Sequence, residues 1–278
     1  MIPGDNELSG ESTTTSWAAK LEFYSRAIIE NLLPIAILLG IWEFVSWYEL
    51  VPPQLFPRIL TIFNTMVEEM TDGVLLTHIG TSIMRLFVSV FFALIAGTLI
   101  GIIMGTSRTF EWIFVPVVNF FSVIPGIALF PATILFWGLT EQAVIITISF
   151  ATTIPIILNT WVGVKTVNET LVNAARSMET KGLSLLVRVL LPGSLPVVIS
   201  GWRIGFARAW RVLLAGELLA SPEMGLGVRI FDAQETLNSA VIYGGIIIIG
   251  FLGFAMERLV LRSLEVATVQ RWGMMREL

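Results

Sequence analysis

Apolar stretches of about twenty residues recur six times along this chain, at 32–50, 82–105, 111–137, 143–162, 197–220 and 240–259. That length is what a helix needs to cross the hydrocarbon core of a bilayer. Within that core the backbone must satisfy its own polar groups, which limits spanning segments to helices and closed barrels. The expectation is an all-α integral membrane protein with about six transmembrane helices. Composition agrees: 55% of the 278 residues are apolar and only 14% are charged, against about 25% charged in soluble domains. No large soluble domain fits beside six spans in this length.

Several chemistries are excluded from the outset. Cysteine is absent and His78 is the lone histidine. Thiol chemistry, sulfur-ligated metal and a multi-histidine metal or haem site are therefore ruled out. A net charge of -4 with no basic patch gives no sign of nucleic-acid binding. There is no Gly-Lys dipeptide, hence no phosphate-cradling Walker loop. No cofactor is expected in this chain.

Residues 1–20 read as a disordered cytoplasmic tail, since the first sixteen are polar and lack the basic start and apolar core of a signal peptide. Residues 21–31 then read as an interfacial helix leading into the first span, which ends in Trp42, Trp47 and Tyr48, rings suited to the water interface. Glu43, inside that span, should face protein or the outer interface. Pro52, Pro53 and Pro57 make an extended connection, and 58–70 is an amphipathic helix expected on the membrane surface. The second span carries Gly97, Gly101 and Gly105 at four-residue spacing, a strip for close helix packing.

The third span is interrupted by Pro125, Gly126 and Pro131. Non-helical backbone at membrane depth is tolerated only inside protein or along a water-filled path, and transport proteins use broken helices to line substrate routes. A packing kink is the plainer reading; the lining of a pathway is the one preferred. The fourth span carries a kink at Pro155, and 221–239 is a polar excursion before the sixth span.

Between the fourth and fifth spans lies a polar segment, 173–196, with Arg176, Glu179, Lys181 and Arg188. Leu183, Leu186, Val187 and Leu190 fall at helical spacing, so an amphipathic helix is expected there, ended by Pro192 and Pro196. An ordinary interfacial connector would look much the same, but the spacing is more specific. Asn173, Ala174, Ala175, Leu191, Pro192 and Pro196 stand in register with the Glu-Ala-Ala coupling loop of ABC importer permeases, which this stretch resembles. Asn173 replaces the motif's Glu. Glu179 replaces its Gly, with Gly182 three residues on, so the turn of the loop is expected to be displaced.

With N- and C-termini inside, basic residues such as Lys20, Arg26, Arg108, Lys165, Arg176, Lys181 and Arg188 fall on the cytoplasmic side, and only Arg58 and Arg229 outside. From about Leu75 to Leu264 the chain resembles the permease subunits of ABC importers of the nitrate, sulfonate, taurine and bicarbonate class. The likeness is carried by 93–105, the Ile124-Pro125 break with Leu129, Phe130 and Pro131, Phe136-Trp137-Gly138, and 201–217.

That resemblance implies a type I importer permease in a bacterial inner (plasma) membrane. It implies one permease domain over 21–264, a coupling loop within 165–196 and a cytoplasmic tail at 265–278. It also implies a second permease chain forming a homodimer, two ATP-binding subunits that hold ATP and Mg, and a binding protein that delivers the solute from outside. The ATPase-coupling residues would be Asn173, Ala174, Ala175, Glu179, Gly182, Leu191 and Pro192. The rival is a self-contained secondary transporter or channel, against which stand the lack of a repeated half and the few intramembrane carboxylates.

Arg203, Arg208 and Arg211 lie in the fifth span, the last two near mid-membrane and three residues apart on one face. Each central arginine costs roughly 2.5 to 3.5 kcal/mol to insert. Glu217 is half a turn off that face and cannot neutralise them within the helix. The residues expected to line a pathway for a small anionic solute are Pro125, Gly126, Pro131, Arg208, Arg211 and Glu217.

Overall fold

A computed structural model describes residues 14–220 and 223–258. The tails at 1–13 and 259–278, with Arg262, Arg271 and Arg276, lie outside the described residues. The chain divides between Thr61 and Ile62 into two compact units.

In the first unit, α1 runs unbroken over Thr14–Trp47. It begins inside the stretch expected as a tail, and 21–31, expected as a separate interfacial helix, is continuous with the first span in it. The proline-rich connection folds back on its end. Trp42 donates its ring N–H to Pro57 C=O at 3.0 Å and stacks on Phe56 at 4.0 Å. Glu43 accepts from Arg58 Nε and from the Ile59 amide, both at 3.2 Å. Glu43 thus faces protein, as its place in the first span suggested.

The second unit is a helical bundle, and helix α2 (Ile59–Thr71) opens into it. The long helices are α3 (Val74–Thr106), α6 (Glu141–Lys165), α9 (Leu191–Ala220) and α11 (Ser239–Met256). Shorter ones are α4 (Arg108–Val123), α5 (Phe130–Trp137), α7 (Glu169–Ser177), α8 (Gly182–Leu185) and α10 (Leu226–Glu235). Among the described residues four helices are long and apolar enough to cross a membrane, and five if the bent pair of α4 and α5 counts as one span. The apolar part of α1, Leu32–Trp47, is shorter than a full span.

Helix α6 is the centre. In its most apolar window 61% of residues are buried, against 22% to 33% in the other spanning helices. The glycine strip of α3 explains half of that packing. A Cβ on Gly97, Gly101 or Gly105 would come within 2.7, 2.5 and 2.6 Å of Ile156, Thr160 and Val164 of α6. The strip is a packing surface, as expected. On the other flank of α6, Gly201 and Gly205 of α9 admit Asn159 and Ile156 equally closely. Small residues let backbones approach where lipid supplies no hydrophobic drive between helices.

Two expectations need correcting. The amphipathic stretch 58–70 does not simply lie on the membrane surface. Met66 packs under Gly244 of α11, and buried Glu69 pairs with Arg229 of α10. Nor do Pro192 and Pro196 end the loop helix. Gly182–Leu219 is one helical run of 38 residues. A π-type turn at Leu186–Leu190 falls where Pro192 would otherwise collide with the carbonyl of Arg188, four residues back.

Candidate functional site

Three places on this bundle carry chemistry. The first is the connection between α6 and α9. Asn168 caps α7, its side chain accepting from the Thr170 amide at 2.8 Å. The other end of α7 closes with paired bonds: Thr180 N–H to Ala175 C=O and Glu179 N–H to Arg176 C=O, both 3.0 Å. This is the Schellman arrangement, whose closing residue is left-handed and usually glycine. Here that residue is Glu179, at φ +59°. The turn is therefore not displaced to Gly182. The side chain that replaces the motif's glycine takes the glycine conformation, at a cost of order 1–2 kcal/mol. Gly182, also left-handed at φ +57°, opens α8.

Among its residues α7 buries none. Asn173 and Ala174 are exposed and Ala175 is half-buried, while Leu171, Met178, Leu183 and Val187 show their side chains to the outside. A groove of about 770 Å³ runs between this loop and the ends of α3 and α6, and Asn173 and Gly182 line it. Leu191 and Pro192 lie at the start of α9, joined to the loop without a break.

The second place is the interrupted span. α4 stops at Val123; Ile124 and Pro125 are extended, and a single 3-10 turn, Gly126–Leu129, leads into α5 at a bend of 100°. Gly126 is buried, and a Cβ there would meet Val212 of α9 at 2.6 Å and Ala151 of α6 at 3.0 Å. Pro125 and Pro131 are exposed. Helix ends leave carbonyls without partners, and Arg208 reaches one of these. Its Nη2 donates to Ser122 C=O at 3.5 Å, in the last turn of α4. A cation at a helix C-terminus also meets the negative end of its dipole. Arg211 is exposed and, among the described residues, bonds the Ala207 carbonyl of its own helix, at 3.1 Å. Among the described residues no carboxylate pairs with Arg208 or Arg211.

The third place is the end of the bundle away from the loop, and sequence reasoning missed it. Arg85 of α3 is fully buried. It bonds Glu217 of α9 at 2.9 Å and Glu141, at the start of α6, at 2.7 Å. Glu217 also accepts from Ser82 Oγ at 2.7 Å and from the Gly227 amide at 2.9 Å. Ser82 Oγ in turn accepts from the Leu226 amide at 2.8 Å. His78 Nδ1 lies 2.8 Å from Gly225 C=O and 3.0 Å from its amide. The network fastens three helices and the connection before α10. Glu217, expected along a pathway, is committed instead to this network. It is fully buried as the partner of Arg85. A cation within an apolar helix should itself prompt a search for a carboxylate on another span; Arg85 was that signal.

Residues 97–263 match the family described as the binding-protein-dependent transport system inner membrane component. The taurine transport system permease protein TauC of Escherichia coli (strain K12) is 32% identical, over 87% of this chain and 89% of its own. A putative aliphatic sulfonates transport permease protein, SsuC of Bacillus subtilis (strain 168), is 30% identical over 81% of each chain. The nitrate import permease protein NrtB of Leptolyngbya laminosa is 27% identical, over 84% of this chain and 86% of its own. Among solved structures, inward-facing conformations of the MetNI methionine ABC transporter share the fold. The TM-score is 0.55 at 22% identity, over 70% of this chain and 98% of that one.

Proposed function

This chain belongs to the binding-protein-dependent transport system inner membrane component family of ABC transporter permeases, and from that premise we propose that it forms the pathway of an ATP-driven importer for a small anionic solute. Two copies of the chain enclose the pathway. Two ATP-binding subunits, which hold ATP and Mg, dock on the cytoplasmic loop. A binding protein hands over the solute from outside, and both chain termini lie in the cytoplasm.

One observation carries the reading: Gly182–Leu219 is a single helix, roughly 57 Å long at 1.5 Å per residue, that joins the exposed loop to the two arginines at the broken span. Asn173, Ala174, Ala175 and Glu179 present the docking face, Gly182 is the hinge into α8, and Leu191 and Pro192 carry its movement into α9. At the break, Arg208 holds the end of α4 while Arg211 keeps its charge uncommitted toward the solute. Pro125 and Pro131 line the opening, and Gly126 is the point where the break is packed against α6 and α9.

The test is uptake into liposomes by the assembled transporter. Arg211→Gln is expected to reduce anion uptake about tenfold or more, leaving assembly and basal ATPase activity unchanged. Arg208→Gln should reduce uptake less, since part of its role is to hold the break. Normal uptake by both variants, or a cationic solute, overturns the anion assignment.

A further inference from the structure

A second groove, of about 730 Å³, lies at the loop end of the bundle, between the end of α3, the start of α4 and the end of α6. Its chemistry is not that of solute transfer. Glu111 sits at its floor, accepting from Lys165 Nζ at 2.8 Å and from the Trp161 ring N–H at 3.1 Å. Those two bonds hold the ammonium and the indole in place. Arg108 lines the same groove and is exposed; its charge acts on Glu111, but among the described residues it forms no close ion pair. Two cations and one carboxylate leave a net charge of +1. Trp112 and Pro116 form the outer lip, and Trp112 is 73% exposed. Beyond that lip α4 shows an apolar face, with Ile113 and Val117 exposed.

We propose that this groove binds the phosphodiester headgroup of an anionic glycerophospholipid. The phosphate is held by Arg108 and Lys165, the glycerol lies against Trp112, and the acyl chains run along Ile113 and Val117. Three features favour a lipid over a soluble anion. With the orientation proposed above, the groove lies at headgroup depth on the cytoplasmic side. Its indole rings are of the kind that populates the membrane interface. The charged pocket opens onto an apolar helix face, which a free anion would not use. Basic pockets between spanning helices on the cytoplasmic side are suited to anionic lipid headgroups. The site is independent of the solute, so its test does not depend on the anion assignment.

The transporter, assembled with its ATP-binding subunits, is reconstituted in nanodiscs of equal parts phosphatidylcholine and phosphatidylglycerol. It is then released into detergent and weighed by native mass spectrometry. The wild-type protein should retain phosphatidylglycerol over phosphatidylcholine by about fivefold, the contribution of one basic residue near an anionic surface. Arg108→Gln should bring the ratio down to that of the bulk mixture while keeping the ATP-binding subunits bound. Millimolar inorganic phosphate should leave the retained lipid in place. An unchanged ratio in Arg108→Gln overturns the proposal. So does displacement of the lipid by phosphate, which would make this a site for the free ion. Loss of the ATP-binding subunits from Arg108→Gln, with lipid retention unaltered, would assign Arg108 to a protein contact and overturn it too.

Discussion

The two ends of the bundle solve the same problem, a polar end on an apolar bundle, in opposite ways. At one end Arg85, Ser82 and Glu217 are fully buried, and their charges and hydroxyls are matched across α3, α6, α9 and the start of α10. At the other end α7 buries nothing, and Met178 and Leu183 are 80% and 75% exposed. A buried ion pair held by hydrogen bonds on both partners is largely complete within its own chain, and of Arg85, Ser82 and Glu217 only Arg85 Nε is a buried polar side-chain atom left without a partner among the described residues. A short polar helix with an apolar rim is stable only by its caps until something covers it, and such a patch marks an interaction surface. The fastened end is a fixed frame, and the loop end is the exposed face proposed above for the ATP-binding subunits.

The largest effect should come from breaking the frame. Arg85→Met leaves Glu217 buried without its cation, a change worth roughly 3–5 kcal/mol. Thermal unfolding of the purified permease should start well below the wild type, and Glu217→Leu, which leaves Arg85 its bond to Glu141, should be less damaging. The double variant, with neither charge, should recover part of the loss. If Arg85→Met unfolds like the wild type, the network is ornamental.

Next is the α3–α6 seam that both ends share. Gly101→Val puts a side chain where Thr160 Cβ would be only 2.5 Å from the new Cβ. Overpacking of this kind costs about 1–3 kcal/mol. The same substitution at Gly40, which has nothing within 4 Å, should be nearly silent in the same melting assay, and equal effects would contradict the packing account.

At the loop end the expected change is smaller and of opposite sign. Glu179→Gly relieves a left-handed residue at φ +59° and should stabilise the turn by up to about 1 kcal/mol. Hydrogen exchange at the Thr180 amide, which bonds Ala175 C=O, should slow. Faster exchange would mean that the glutamate side chain holds the loop by contacts of its own.

Much of this fold was legible in the sequence, and each miss has a physical cause. The glycine strip was readable because a helix needs three small residues in register only where another backbone comes close. The broken span was readable because Pro125, Gly126 and Pro131 leave the backbone little choice. The continuity of α8 with α9 was not, because Pro192 normally stops a helix and a π-type turn cannot be read from residue types. The buried network was missed for a different reason. In sequence Glu217 stands beside the arginines of the fifth span. The partner of Glu217 lay in α3, 132 residues away. The sequence placed Arg208 and Arg211 on one face; the difference between them, a carbonyl partner for one and exposure for the other, depends on where α4 breaks off.

The contrast between the ends is tested most directly by Ala175→Glu in the full transporter. Ala175 is half-buried on a helix with no buried residue, so a charge there should shift stability by no more than about 0.5 kcal/mol. The variant should insert and melt like the wild type, yet fail to co-purify with the ATP-binding subunits and show no ATP-dependent uptake. Co-purification and uptake at wild-type levels would contradict the claim that this loop is where ATP hydrolysis is coupled to transport.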